Sequence, residues 1–417
     1  MKTRISSFFV FIFFVSIFML SNGALFTWLF LGTPLSMWRQ LIWIWGLYVL
    51  IKHYPEFRDI RLNKFVKVHT SFFWYVVALS LITILVHNFN LMRIIYAFWM
   101  YFSGLPFVLL PYLISKSRVM SCQTFYKIFM YLGLFLTVGL IIDFSTGGFF
   151  TQMFLMATSS EANLLESERY CFLSEAPTTF AIYYCFCLLS ALYMMYIEQR
   201  KYRKLLYLFI SISFFIGAWF TGSRQIVAAL GIVFALSMVY YVIFIRDNKA
   251  VVIISLLAVV FVFPSLKNIL YSSESHQERY STESIKEDSR YDAWKDGLNE
   301  TVLSGEIKMT LFGKAVALVQ GQKAAKGEIT GRHYENTYFS RWSELGIYGT
   351  LFLLIPAFFV LKRMKKMDFL NVLITLLFVS YFVICYVSPN GIHQTTQMVL
   401  YLAIGLFLCR DYFAIEK

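Results

Sequence analysis

The chain has 417 residues, of which 59% are hydrophobic, 19% aromatic and 15% charged, and its formal net charge is +13. Soluble globular proteins have about 45–50% apolar and about 25% charged residues, so this composition excludes an ordinary soluble domain and predicts a protein that lies in lipid. The basic residues are gathered in short segments between apolar runs. That placement is typical of membrane loops, so we expect membrane lipid and no nucleic acid among the partners.

The apolar runs predict the fold class. Each of about twelve runs is long enough to cross the roughly 30 Å hydrocarbon core as a helix. The predicted spans are 5–21, 34–51, 70–87, 93–114, 125–142, 172–196, 205–221, 224–245, 250–266, 342–361, 369–388 and 393–409. We therefore predict an all-α, polytopic helical membrane protein that forms a single membrane domain over residues 1–417. The first run also has the form of a signal peptide, but it exceeds the usual length of a signal core, so we expect a retained helix.

The basic clusters predict the orientation. They lie at 52–67, 116–118, 200–204 and 362–366. If the N-terminus is cytoplasmic, threading the spans places every cluster on the cytoplasmic side, as the positive-inside rule requires. The same threading makes both termini cytoplasmic and places residues 143–170 and 267–340 on the external face.

The segment 267–340 is a large polar loop, and we expect it to carry function, as long ordered loops often do. Within it, Tyr291, Trp294, Leu298 and Val302 recur at helical spacing. This pattern predicts a short amphipathic helix on the membrane surface.

Four arginines, Arg169, Arg224, Arg290 and Arg332, fall on the predicted external side. Arg224 lies in the polar segment 221–225, between two apolar runs at the outer membrane boundary. A guanidinium at that depth can bind a phosphate through two parallel hydrogen bonds. The alternative is a structural role, in which Arg224 reaches the interface and caps a turn.

His333 and Glu175 are the candidate catalytic residues. His333 precedes the helix predicted from about Arg341, and an imidazole can accept a proton from a hydroxyl near neutral pH; the alternative is a structural hydrogen bond at the helix start. Glu175 lies just inside an apolar run, where a carboxylate is costly unless paired, and Arg169 or Arg224 is the predicted partner. Besides this structural pairing, two direct roles remain as alternatives for Glu175: it binds sugar hydroxyls, or it acts as a base.

No metal site or cofactor is predicted. Most of the six cysteines lie in apolar runs, where a thiol behaves as a small hydrophobic group. Asp288, Asp292 and Asp296 are spaced too loosely to predict a cation site.

Three short motifs in order resemble the O-antigen polymerase and O-antigen ligase superfamily. They are Thr-Gly-Ser-Arg at 221–224 before an apolar helix, Ser289-Arg290-x-x-x-Trp294 at the start of a large loop, and His333-x-x-Asn336-x-Tyr338 followed by Glu-Leu-Gly-Ile-Tyr-Gly at 344–349. The resemblance covers about residues 165–360.

The resemblance implies a membrane glycosyltransferase of the GT-C type in the bacterial inner (plasma) membrane. Its donors would be polyprenyl-pyrophosphate-linked glycans, and its reaction would be inverting, metal-independent and external. It implies that Arg224 and Arg290 bind pyrophosphate and that His333 activates the acceptor hydroxyl, with Arg169, Arg332 and Glu335 completing the substrate-binding set. The superfamily often has Asn directly after this His, whereas Tyr334 and Glu335 intervene here, which makes Glu335 an alternative to His333.

The element from Arg169 through Glu175 to Pro177 looks like the polymerase branch. We therefore predict an O-antigen or capsular polysaccharide polymerase, with a chain-length regulator as an implied partner. The alternatives are an O-antigen ligase that delivers glycan to lipid A core, and a secondary transporter, for which Gly104, Pro106 and Pro111 would mark a broken helix. A mannosyltransferase-type enzyme is disfavoured because residues 21–38 contain no acidic residue.

Overall fold

The computed structural model describes residues 2–58, 61–87, 91–158, 169–175, 180–245, 253, 290–314, 316, 336–362, 368–387 and 393–409. Within them the regular structure is helical and includes no strand, in agreement with the predicted all-α class. The α-helices in chain order are α1 (Lys2–Ser21), α2 (Gly23–Leu29), α3 (Trp38–Phe57), α4 (Arg61–His87), α5 (Leu91–Phe102), α6 (Leu110–Ser117), α7 (Cys122–Ser145), α8 (Phe149–Thr158), α9 (Phe180–Ile197), α10 (Lys201–Phe220), α11 (Arg224–Phe244), α12 (Arg290–Glu300), α13 (Ile307–Phe312), α14 (Thr337–Leu361), α15 (Phe369–Val387) and α16 (Gln394–Leu408).

A helix lies over each predicted span within the described residues, whereas the predicted span 250–266 lies outside them. Among the described helices, seven are long and apolar enough to cross a membrane, or eight if α1 and α2 form one bent span. The helices α9 and α16 are apolar but shorter. The described part of the chain is therefore a helical protein with several candidate membrane spans.

The helix α9 lies at the centre of the bundle. All its residues from Ala181 to Leu192 are buried. A helix that is apolar on every side is stable when other helices surround it, and α9 packs against α7, α10, α11, α15 and α16. The outward faces of the bundle expose apolar side chains such as Leu85, Phe209 and Ile243, which suits contact with lipid tails.

The span 93–114 contains an irregular turn at the residues that would mark a broken helix in a transporter. The helix α5 ends at Phe102, a 3₁₀ turn covers Leu105–Leu109, and α6 begins at Leu110. Pro106 and Pro111 lack the amide hydrogen that would continue an α-helix. At Gly104 a Cβ atom would lie 2.6 Å from the carbonyl oxygen of Gln397, so the glycine allows α16 to cross closely.

The helix α14 kinks at Gly346, which has φ of 65° and ψ of −163°. The kink frees carbonyl groups from the helical ladder, and other segments satisfy two of them. Lys314 N donates to Ser343 O at 2.7 Å, and Tyr75 Oη donates to Leu345 O at 2.7 Å. Irregular backbone inside a membrane protein is tolerated where the protein supplies such partners.

Inter-helix contacts define two ends of the bundle. At one end, Leu173 O accepts from Ala24 N at 3.0 Å, and Thr395 Oγ1 donates to Leu20 O at 3.0 Å. At the other end, Glu56 pairs with Lys116. We call the first the carboxylate end, because Glu175 lies there; the described residues of the basic clusters lie at the opposite, basic end.

Candidate functional site

The segment 169–175 carries Glu175, and the buried carboxylate of Asp143 holds it in place. Asp143 accepts from Phe150 N at 2.9 Å, from Thr151 N at 3.1 Å and from Phe172 N at 3.1 Å. Thr151 Oγ1 donates to Asp143 Oδ2 at 2.5 Å and accepts from Cys171 N at 2.8 Å. A buried carboxylate is stable when its lone pairs are filled in this way, so Asp143 ties the segment to the end of α7.

The carboxylate of Glu175 lies between a guanidinium and an imidazole. Arg39 Nη2 forms an ion pair with Glu175 Oε1, and His393 Nε2 lies 3.5 Å from Glu175 Oε2. Thr27 bridges the pair, since its Oγ1 accepts from Arg39 Nη2 at 3.1 Å and donates to Glu175 Oε1 at 3.4 Å. The predicted need for a positive partner is confirmed, but the predicted partners Arg169 and Arg224 were wrong.

Arg39 and His393 were not among the residues predicted for the site. Both residues stand at the start of a helix, Arg39 as the second residue of α3 and His393 as the N-cap of α16. Neither belongs to a motif, and each is far from Glu175 in sequence. The sequence did indicate one shared property: both residues lie near the start of a predicted span, and the predicted topology places both of these starts on the external side.

A small cleft surrounds this trio, lined also by Leu20, Trp99, Met100, Gln394 and Thr395. Gln394 is 2% exposed, and among the described residues neither Nε2 nor Oε1 of its amide has a hydrogen-bond partner. A buried amide without partners costs about 1–3 kcal/mol for each unsatisfied group. The cleft therefore contains unused hydrogen-bonding capacity beside a charged pair.

The imidazole of His393 is held in one orientation. Its Nδ1 accepts from Thr395 N at 3.3 Å, so a neutral ring carries its proton on Nε2, which faces Glu175. Burial, and after it the positive charge of Arg39, lowers the pKa of His393. At neutral pH the ring is therefore uncharged, and the cleft holds one positive and one negative charge.

Arg224 is the first residue of α11, directly after a tight turn. Gly222 has φ of 59°, and Ser223 N donates to Thr221 Oγ1 at 3.2 Å. Tyr170 N donates to Phe220 O at 3.2 Å, which joins the segment of Arg169 to this turn. The structure thus brings the backbones that carry Arg169 and Arg224 together at the carboxylate end, and both side chains are half-buried.

The structure describes only some of the predicted site residues in the loop 267–340. The helix α12 forms where the spacing predicted an amphipathic helix, and it begins at Arg290. The side chain of Arg290, and Arg332, His333 and Glu335 entirely, lie outside the described residues. Two nearby residues in the sequence, Trp294 and Asn336, are described, and both contact one residue of α15.

That residue is Tyr386, near the end of α15. Its ring lies 4.7 Å from the ring of Trp294 in α12, measured between centroids. Its carbonyl oxygen accepts from Asn336 Nδ2 at 2.7 Å, and Asn336 Oδ1 caps α14 by accepting from Tyr338 N at 2.8 Å. The helix that begins at Arg290 and the residue three positions after His333 therefore meet at Tyr386.

A second polar cluster lies inside the bundle on α14. Arg341, predicted to stand before a span, lies within the helix and is 3% exposed. Its Nη1 lies 3.5 Å from Glu344 Oε2, and its guanidinium stacks 3.8 Å from the centre of the Tyr101 ring. Tyr101 Oη donates to Glu344 Oε2 at 2.7 Å. Arg341 and Tyr101 line a separate small cavity.

The described residues contain no group of three or more His, Cys, Asp or Glu side chains placed to hold a metal ion. No known family model matches the chain, and no curated protein matches it significantly.

Proposed function

We propose that this protein is a membrane glycosyltransferase, and specifically an O-antigen or capsular polysaccharide polymerase. It transfers a growing glycan from polyprenyl pyrophosphate to the sugar of a new lipid-linked repeat unit. The resemblance of the three motifs suggests this activity, and the geometry of the carboxylate end supports it.

The supporting observation is that separate candidate segments meet at one end of the bundle. The turn before Arg224 joins the segment of Arg169 and Glu175 through the bond between Tyr170 and Phe220. The helix that begins at Arg290 meets the end of the His333 segment at Tyr386. Segments spread over half of the chain thus come together at one end of the bundle, which supports the proposal.

Arg224 has a further property that favours anion binding. The N-terminus of a helix carries a partial positive charge, so a cation there is disfavoured by about 0.3–1 kcal/mol. An anion bound at the start of α11 would offset this repulsion and would also accept hydrogen bonds from the helix amides. A diphosphate beside Arg224 and Arg290 satisfies both conditions.

The proposed reaction needs positioned charges more than it needs a strong nucleophile. The acceptor hydroxyl oxygen forms a bond to the anomeric carbon, the bond from that carbon to the phosphate oxygen breaks, and polyprenyl pyrophosphate leaves. Arg224 and Arg290 neutralise the charge that develops on the leaving group, in the way of an oxyanion hole. His333 takes the hydroxyl proton, with Glu335 as the alternative, and attack from the opposite face inverts the anomeric centre.

The proposed location is the external face of the bacterial inner membrane. The described residues of the basic clusters lie at the opposite end of the bundle, and the positive-inside rule assigns that end to the cytoplasm. At the outer boundary both lipid tails remain in the bilayer while the sugars stay in water.

The test is polymerisation in proteoliposomes that contain the full chain and the lipid-linked repeat unit isolated from the source bacterium. We expect a ladder of lengthening products, and we expect Arg224→Ala, Arg290→Ala and His333→Ala to abolish it. Arg290→Lys should also be poor, because an ammonium cannot form the paired bonds of a guanidinium.

The matched control is Arg61→Ala, which removes an exposed arginine at the basic end. It should leave the ladder unchanged. Ladders of wild-type length from all three site variants would refute the site, and glycan that appears only on added lipid A core would identify a ligase.

A secondary transporter is the second candidate, and two observations favour it. The span that contains Gly104 is broken by a 3₁₀ turn, and Arg341 and Glu344 form a buried ion pair in a kinked helix. Broken helices and buried charges are typical of transport sites. Uptake of a labelled solute that survives Arg224→Ala but not Arg341→Ala would favour this function over the polymerase.

A further inference from the structure

We infer that the cleft formed by Arg39, Glu175, His393 and Gln394 is a saccharide subsite that binds hydroxyl groups of the glycan. This inference rests on the proposed function for the identity of the glycan. It assigns to the cleft a binding role, and to Gln394 a role in recognition, that the motifs do not indicate.

The amide of Gln394 is the first argument. It lies at the start of α16, is 2% exposed and lines the cleft. Among the described residues both its donor and its acceptor lack partners, whereas Gln397, one turn further along α16, donates to Met100 O at 2.8 Å and accepts from Ser103 Oγ at 3.3 Å. A ligand that donates and accepts at neighbouring positions would satisfy Gln394, and adjacent sugar hydroxyls do both.

The charge of the cleft is the second argument. Arg39 and Glu175 compensate each other, and His393 is held neutral. An anionic ligand would therefore have to compete with Glu175 for the guanidinium. An uncharged hydroxyl can instead add a hydrogen bond to the open lone pairs of the carboxylate without disturbing the pair.

The same geometry argues against proton abstraction in this cleft. The ion pair with Arg39 stabilises the charged carboxylate of Glu175 and so weakens it as a base. The acceptor nitrogen of His393 already receives the amide hydrogen of Thr395. The two groups therefore suit recognition of a hydroxyl better than its deprotonation.

The composition of the walls is the third argument. Leu20, Trp99 and Met100 line the cleft together with the polar groups. Sugars present carbon-bound hydrogens on one face and hydroxyls at their edges, so a site that contains both apolar and polar groups matches them.

The experiment measures binding without transfer. The probe is the free oligosaccharide released by mild acid from the lipid-linked repeat unit, which carries no pyrophosphate and no lipid. Binding to the detergent-purified full chain is followed by calorimetry and by tryptophan fluorescence, with Trp99 at the cleft as a reporter. We expect Gln394→Ala to weaken binding about tenfold and Glu175→Gln to weaken it at least as much.

Gln199→Ala is the matched control, because Gln199 is exposed at the basic end, and it should bind as the wild type does. In the polymerisation assay Gln394→Ala should raise KM for the lipid-linked repeat unit while kcat stays within about twofold, since a lost ground-state contact acts on binding. Should Glu175→Gln fail to yield folded protein, the Gln394 variant alone decides.

The outcomes separate the two proposals. Oligosaccharide binding that the Gln394 variant weakens, in a protein that makes no ladder, would support the subsite and refute the polymerase. A ladder with unchanged oligosaccharide affinity in the Gln394 variant would refute the subsite alone. Absence of oligosaccharide binding, or binding of inorganic pyrophosphate that Arg39→Ala abolishes, would also refute it, because the cleft would then hold solvent or an anion.

Discussion

Arg39 and Glu175 should each depend on the other for their contribution to the stability of the protein. The two side chains are 24% and 17% exposed, so removal of one leaves the other charge largely desolvated. We expect Arg39→Met and Glu175→Gln each to lower the free energy of unfolding. The double variant should lose less than the sum, with a coupling of about 1–3 kcal/mol, measured from denaturant unfolding in detergent. Additive losses would show that the pair contributes nothing.

His393 should make stability depend on pH in the acid range. Its pKa in the folded protein is lowered from the value of about 6.5 in an unfolded chain, first by burial and then by the charge of Arg39. Below pH 6.5 the unfolded state therefore binds a proton that the folded state does not, so stability falls as pH decreases.

The comparison is the melting temperature of wild type and His393→Asn at pH 8, 6, 5 and 4. Arg39 and Glu175, the charged groups that face the ring, are present in both proteins. The wild type should lose melting temperature more steeply below pH 6.5 than the variant. Parallel curves would contradict the lowered pKa.

For single residues, the sequence predicted a contact only where a buried charge requires a partner of opposite charge. Glu175 stood in an apolar run, so a positive partner followed from electrostatics alone. The identity of that partner depends on which helix ends meet, and no local pattern encodes the approach of Arg39 and His393. Gln394 was equally hidden, because an amide at the start of a span is unremarkable until its missing partners are known.

At the scale of elements, Gly346 should be irreplaceable. It has φ of 65°, and a Cβ atom there would lie 2.1 Å from the carbonyl oxygen of Leu311. With ψ of −163° it lies in a region of backbone angles that is almost exclusive to glycine and costs any other residue about 1–3 kcal/mol, and the clash with α13 adds to this cost. We expect Gly346→Ala to lower the melting temperature strongly and to reduce the yield of monodisperse protein.

Gly231 in α11 provides the contrast. A Cβ atom built there meets nothing within 4 Å, so Gly231→Ala should be neutral or stabilising by up to about 1 kcal/mol. Equal effects of the two substitutions would mean that the contact between α13 and the kink is not present in the folded protein.

Helices were predictable as elements, but their starts and breaks were less so. Apolar runs locate a span because the bilayer demands length and composition. The helix α14 begins at Thr337, before the predicted 342, because Asn336 caps it and because Arg341 and Glu344 compensate each other inside the protein. Charged residues lower the hydropathy of a segment whether or not they are paired, so the hydropathy pattern placed the start of the span after Arg341.

The whole molecule offers a direct test of orientation through its own cysteines. Cys122 is half-buried at the basic end, whereas the other five cysteines are buried. Ser36 is exposed in the 3₁₀ turn before α3, at the carboxylate end. A membrane-impermeant maleimide can therefore report each end separately, with Ser36→Cys made in a Cys122→Ser background.

The positive-inside rule assigns Cys122, beside Lys116 and Arg118, to the cytoplasm. In right-side-out vesicles we expect labelling of the Ser36→Cys variant and none of Cys122, and in inverted vesicles the reverse. The Cys122→Ser protein without a new cysteine should stay unlabelled in both. Labelling of Cys122 from outside would place the carboxylate end in the cytoplasm. The substrate would then have to be a cytoplasmic one, and transfer between lipid-linked glycans on the external face would be ruled out by topology alone.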